Sequence, residues 1–216
     1  MNVFCDFDGT ITLADGTDAI LQRFALPKWR EWERLWENRE ISSRECLLQQ
    51  VELIRADRQT LIEFAAALPV DPGIFTLAGR CIERNIPLTI VSDGLDLIVE
   101  TVLRSQGLSH IPFFANHMTW TPEGHPTLGF PHAAPACESG AGSCKCAIAG
   151  VGRKRRDPSV FIGDGRSDFC VSAKMDSVYA KGTLRAWCQS QDIPFLPFET
   201  LEDVAAHLFP DEVLVP

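Results

Sequence analysis

VFCDFDGTIT, residues 3–12, decides how the rest of the chain is read. An apolar run climbs to Asp6, passes Phe7, reaches Asp8 and breaks at Gly9-Thr10. The run predicts a buried strand over 2–7. Carboxylates at the end of such a strand are costly to desolvate. Alternation along a strand puts Asp6 and Asp8 on the same side. Two like charges that close repel unless a cation or a shared proton relieves them.

Downstream, residues 17–68 read as helices with no clear strand. KWREWERLWENR (28–39) places Trp29, Trp32, Leu35 and Trp36 on one face, as cap core or as a wall against substrate. SSRECLLQQVELIRA (42–56) opens with Ser42 and Glu45 at capping-box spacing and carries an apolar stripe of Leu47, Val51 and Ile54. After Asp71-Pro72-Gly73 the pattern changes. A helix is expected over 73–85, a buried strand over 87–92, and a helix over 94–107 stopped by Gly107. Residues 111–130 suggest a hairpin around Pro122-Glu123-Gly124. Strands follow at 159–163, 177–181 and 194–198. Helices are expected from about Ser167, over 182–191 and over 200–209.

Strands alternating with helices imply an α/β fold, a doubly wound and mainly parallel sheet. Ligands in such sheets sit at the carboxyl ends of strands. The expected division is a core of residues 1–12 and 78–216, with 13–77 inserted as a helical cap.

Bulk properties narrow the function. The chain has 216 residues, 45% hydrophobic and 23% charged, as expected of a globular protein. Its net charge of −9 disfavours nonspecific nucleic-acid binding. No apolar stretch approaches the ~20 residues that span a bilayer, and the first ten residues lack the basic-then-apolar pattern of an export signal. A cytoplasmic protein with reduced thiols is expected. Of eight cysteines, Cys5, Cys46, Cys81, Cys170 and Cys188 read as small core residues.

Four polar clusters fall at strand ends. The first is Asp6-Phe7-Asp8-Gly9-Thr10. The second is Ser92-Asp93-Gly94, a hydroxyl with N–H groups at a helix start, suited to cradling an anion. The third is Lys145, with Lys154 and Lys174 as competitors. The fourth is Gly163-Asp164-Gly165-Arg166-Ser167-Asp168. Together they supply what phosphoryl transfer needs. Magnesium takes hard oxygen ligands and shares its shell with phosphate. A carboxylate can act as nucleophile, a second can shuttle a proton, and serine, lysine and N–H groups can neutralise the transferring group.

These four clusters, in this order, resemble the motifs of the haloacid dehalogenase superfamily in its phosphatase branch. The resemblance implies that Asp6 is the nucleophile and Asp8 the general acid/base. It implies Mg2+ held by Asp6, Asp164 and the Asp8 carbonyl, with Asp168 holding the metal's waters or Lys145. Ser92 and Lys145 would bind phosphoryl oxygens, beside Asp93 and Gly94. The helical insertion resembles the phosphoserine-phosphatase-like subgroup. DFDGTITLADGTDAI, the cysteine-rich loop after Pro131-His132 and the tail AKGTLRAWCQSQDIPFLPFETLEDV are similar to the methionine-salvage phosphatases acting on 2-hydroxy-3-keto-5-methylthiopentenyl-1-phosphate.

Where phosphoserine phosphatases grip the substrate carboxylate with an arginine, this chain has Gln50, and Asp15 stands where they carry glutamate. Gln50 cannot make a charged bidentate grip, which lowers phosphoserine as substrate, though Arg44 or Arg55 could substitute. The partner expected is a small phosphorylated metabolite. Phosphotransfer to an alcohol, and a phosphoamino-alcohol ester as substrate, stay open on the same scaffold. Cys137, Cys144 and Cys146 with His132 read as loop thiols, as a zinc site, or as a disulfide or redox switch; a metal-binding or redox module is the non-enzymatic alternative.

Overall fold

The computed structural model describes residues 1–152 and 157–210. The arginine- and lysine-rich run containing Lys154 therefore lies outside the described residues. Seven strands form one sheet: β1 (Asn2–Cys5), β2 (Leu88–Leu95), β3 (Phe113–Trp120), β4 (Pro126–Gly129), β5 (Ser159–Gly163), β6 (Ser177–Ala180) and β7 (Leu196–Pro197). Their order across the sheet is β4-β3-β2-β1-β5-β6-β7. All neighbours pair parallel except the β3–β4 hairpin.

Period-two alternation sorts β1 between two packing layers. Val3 and Cys5 join the larger apolar cluster, and Phe4 packs against the smaller one around Phe161, Val178 and Leu184. Phe161 and Ile162 of β5 lie on opposite faces and are both fully buried, as expected of a strand covered on two sides.

Four helices are inserted between β1 and the rest of the sheet: α1 (Gly16–Phe24), α2 (Trp29–Glu37), α3 (Ser43–Val51) and α4 (Arg58–Ala66). Residues on either side of the insertion meet at an antiparallel bridge between Thr12 and Val70. The capping box expected at Ser42 and Glu45 is present. The helix it starts ends at Val51 rather than near Ala56, because Ile54 leaves it to bridge with Ala25.

α5 (Gly73–Glu83), α6 (Asp96–Ser105), α7 (Lys145–Ile148), α8 (Phe169–Ser172), α9 (Gly182–Ser190) and α10 (Leu201–Leu208) complete the chain. The stop expected at Gly107 is seen as a left-handed residue, φ 72°. Two expected helix starts differ. β2 runs on through Ser92-Asp93-Gly94, and α6 begins only at Asp96, because Leu95 pairs with Asn116 past an irregularity in the ladder. The segment from Ser167 is a single 3-10 turn (Arg166–Asp168) followed by the four-residue α8.

Asp71 explains how α5 and α10 dock. Its buried carboxylate accepts the N–H of Gly73 at 2.8 Å and of Leu201 at 2.9 Å, joining the first turns of both helices. Negative charge is favoured at helix N-termini. Asp71→Ala leaves both donors unmatched, and unfolding in urea should show a loss of about 2–4 kcal/mol. A loss within error of zero would assign the docking to apolar contacts alone.

Candidate active site

β1 ends at Cys5, and the next residues carry Asp6 and Asp8 over the carboxyl edge of the sheet. The turn after them needs glycine. Gly9 has φ +73°, and a Cβ there would collide with the Asp164 carboxylate. Thr10 fixes that neighbour by donating from its hydroxyl to Asp164 Oδ1 at 2.9 Å.

Lys145 is the hub. It is buried at the first turn of α7 and donates to Asp6 Oδ1 at 2.6 Å, Asp168 Oδ1 at 2.5 Å and Ser167 Oγ at 2.9 Å. Burial alone would lower its pKa, but the carboxylates of Asp168 and Asp6 outweigh that and hold the ammonium above the ordinary lysine range. Asp6 is shifted upward as well. Burial, then repulsion from Asp168, raises its pKa despite Lys145. Of the competitors, Lys174 instead approaches Cys170 Sγ at 3.2 Å and Glu138 at 3.0 Å.

Asp168 uses both oxygens within the site. Oδ1 accepts from Lys145, and Oδ2 accepts the N–H groups of Asp164 and Gly165, each at 3.1 Å. Asp6 and Asp164 each keep one oxygen that no donor among the described residues engages. Burial, then Asp168, raises the Asp164 pKa to about 6.

Asp8 sits across the cleft floor in a different cage. Ser92 Oγ donates to its Oδ2 at 3.1 Å and the Gly16 N–H to its Oδ1 at 2.9 Å. Burial, then the charge of Asp15, raises its pKa to about 7. The Gly94 N–H donates to Ser92 Oγ at 2.9 Å, so it is not the free anion donor expected. Gly94 is nonetheless required, because a Cβ there would stand 2.6 Å from Asp8 Oδ2.

Above these groups lies a cleft of about 630 Å³ between the edge of the sheet and the inserted helices, lined by Asp6, Asp8, Asp15, Asp93, Gly94 and Asp164 among others. Asp15 caps α1 through the Asp18 N–H at 2.8 Å. Gln50 donates to Glu33 Oε2 at 2.6 Å, and both line the cleft wall with Asp18. Of the tryptophan stripe, Trp29 is core, whereas Trp36 lines the cleft with the Arg166 guanidinium 4.8 Å from its ring centre. Arg166 also donates to the Glu37 carbonyl at 3.0 Å.

Among the described residues, the cluster able to hold a metal is Asp6, Asp164 and Asp168, with ligand oxygens within 4.8 Å of one another. Carboxylate oxygens are the donor set magnesium takes, so the residues fit that ion. The thiol loop assembles differently. Cys146 Sγ lies 3.4 Å from Cys170 Sγ, and the His132 ring packs edge-on against Phe114.

A family model described as haloacid dehalogenase-like hydrolase matches residues 3–172. The chain belongs to that family. A relative from an Exiguobacterium species, named 2-hydroxy-3-keto-5-methylthiopentenyl-1-phosphate phosphatase, is 32% identical over 96% of each chain. One of the same name from Geobacillus thermodenitrificans is 33% identical over 98% of this chain and 97% of its own. Among solved structures, a phosphoserine phosphohydrolase-like protein from Francisella tularensis superposes with a TM-score of 0.68 at 20% identity, over 96% of this chain and 99% of its own. A phospho-aspartyl intermediate analogue of phosphoserine phosphatase does so with 0.67 at 17%, over 95% and 97%. The mainly parallel α/β sheet is thus that of haloacid dehalogenase-like hydrolases. Within this family member, the site groups missed in the sequence are Ser43, Asn116, Ser143 and Glu33, while Thr10 and Arg166 stood in the clusters without a role of their own. Asn116 had a signal, a polar residue inside the strand FFANHMTW.

Proposed function

We propose that this phosphatase hydrolyses a small-metabolite phosphomonoester in two steps at the carboxyl edge of the sheet. The observation that carries the reading is the Lys145 ammonium held between Asp6 and Asp168, with Asp8 caged separately by Ser92 and Gly16. Asp6 attacks phosphorus through its carboxylate, and the ester oxygen leaves with a proton from Asp8. Asp8, now a carboxylate, takes a proton from water, which attacks the phosphoryl group on Asp6 and releases phosphate. A half-buried carboxyl whose pKa is raised to about 7 is suited to both roles. Lys145 supplies positive charge to the transferring oxygens, and the Ser92 hydroxyl supplies a hydrogen bond.

Asp6 and Asp164, each with a carboxylate oxygen free among the described residues, would hold Mg2+ with Asp168 beside them, and the ion would supply charge neutralisation for the phosphoryl group. The helices inserted between the Thr12–Val70 bridge form the cap in this reading, over a core made of the sheet and its flanking helices. Eight unpaired cysteines suit a reducing, cytoplasmic setting, and among the described residues no helix is long and apolar enough to cross a membrane.

The substrate this reading favours is 2-hydroxy-3-keto-5-methylthiopentenyl-1-phosphate. It is supported by the end-to-end relatives of that name and by the cleft wall. Glu33, Asp15 and Asp18 line that wall, and Gln50 is hydrogen-bonded to Glu33 rather than free. A substrate carboxylate would meet repulsion there, whereas a neutral hydroxylated or keto group would find acceptors and an amide. The test is a panel of this ester, phosphoserine, phosphoethanolamine and pyridoxal phosphate, with and without magnesium. The keto-enol ester should rank first and need magnesium. Phosphoserine ranking first would overturn the substrate assignment, and full activity in chelator would overturn the metal's role.

A further inference from the structure

We infer that Asp93 is a positioning residue that ties the inserted helix α3 to the loop presenting Lys145. Its consequence for turnover rests on the phosphatase reading; the mechanical link does not. Both carboxylate oxygens of Asp93 are occupied. Oδ2 accepts from Ser43 Oγ at 2.6 Å, at the first residue of α3. Oδ1 accepts the Ser143 N–H at 2.9 Å, two residues before Lys145.

The junction is braced from a third direction. Asn116 of β3 donates to the Asp93 carbonyl at 2.6 Å and to Oδ1 at 3.3 Å, and accepts from Ser143 Oγ at 3.1 Å. Asn116 and Ser143 are fully buried. A second contact repeats the link: the Arg44 N–H donates to the Gly140 carbonyl at 3.2 Å. Gly140, at φ +60°, packs so closely that a Cβ would stand 2.7 Å from that of Ser42. The start of α3 is thus docked on the loop that ends in Lys145.

A carboxylate with both oxygens engaged by protein donors is poorly placed to grip an anionic ester. Its negative charge, at the end of β2, instead holds two donors from segments far apart in sequence. Displacing α3 therefore frees the Ser143 N–H and loosens the Lys145 loop, so the inserted helices and the phosphoryl-binding lysine are placed together.

Two measurements test this. The first is hydrogen exchange of the Ser143 amide in Ser43→Ala, a change at a half-buried hydroxyl that α3 tolerates. Exchange should quicken about tenfold, the scale set by weakening a charge-assisted hydrogen bond network. Unchanged exchange overturns the link whatever the enzyme does.

The second is turnover of p-nitrophenyl phosphate with magnesium by Ser43→Ala, Asp93→Ala and the double variant. Asp93→Ala should lower kcat about tenfold with KM little changed, and Ser43→Ala about threefold. The double variant should be no slower than Asp93→Ala, because coupled groups are non-additive. Asp93→Asn, which keeps an acceptor for Ser143, should recover most of the rate. Multiplicative losses, or a KM rise without a kcat loss, would overturn the positioning role. Activity that persists in Asp6→Asn would instead sink the phosphatase mechanism and leave the exchange result standing.

Discussion

Asp6→Asn should abolish turnover while leaving the protein folded. Asparagine has the same shape and keeps an oxygen for Lys145, which remains paired with Asp168. It cannot form the acyl phosphate. Loss of a nucleophile typically costs on the order of a millionfold in kcat. Stability should hold or rise, because Asp6 is a buried charge whose pKa is raised by burial and by Asp168. The checks are steady-state turnover of the preferred ester and the thermal midpoint of both proteins. A variant that unfolds would show that the Asp6 charge holds the site together; one that retains near wild-type turnover would remove Asp6 as nucleophile.

Lys145→Met should damage both activity and stability. Its ammonium stands between two buried carboxylates, and removing one partner of a buried ion pair costs about 3–5 kcal/mol. The pH dependence has a definite sign. With the cation gone, Asp6 loses the charge that offsets its burial and its repulsion from Asp168, so its folded-state pKa, already raised, climbs further above the unfolded one. The folded state then binds more protons than the unfolded state, so stability falls as pH rises. Urea unfolding without divalent metal should show the variant's deficit shrinking between pH 8 and pH 5. A deficit that is flat with pH would mean that the carboxylates are neutralised by something other than Lys145.

The opening stretch could be read because its physics is local. A β1 followed at once by two acids follows from the apolar run and from a glycine that permits a left-handed turn. The β5 strand was expected at the residues where it occurs, since SVFIG is short, apolar and bounded by breakers. The start of α6 was misplaced by two residues, because the pairing of Leu95 with Asn116 is invisible to any pattern in 87–107. The end of α3 was misplaced for the same reason, through the bridge of Ile54 to Ala25.

The candidate site divides along the same line. The acids at 6, 8, 164 and 168 were legible as residue types at strand ends, and a parallel sheet brings strand ends together whatever lies between them. Lys145 was expected there over Lys154 and Lys174, with no local spacing that fixes it. Lys145 reaches Asp6 from 139 residues away, while Lys174, after α8, faces thiols. Asp93 looked like part of an anion cradle. Two of its donors, Ser43 and Ser143, each lie 50 residues off, one on either side.

By itself, then, the sequence determined what depends on neighbours within a turn or a strand: the alternating elements, the caps and the chemical character of each strand end. The tertiary structure alone decided which charges neutralise one another, and that Asp93 joins α3 to the Lys145 loop. Contacts of a few ångströms between distant segments depend on strand order and helix docking, and no local spacing encodes them.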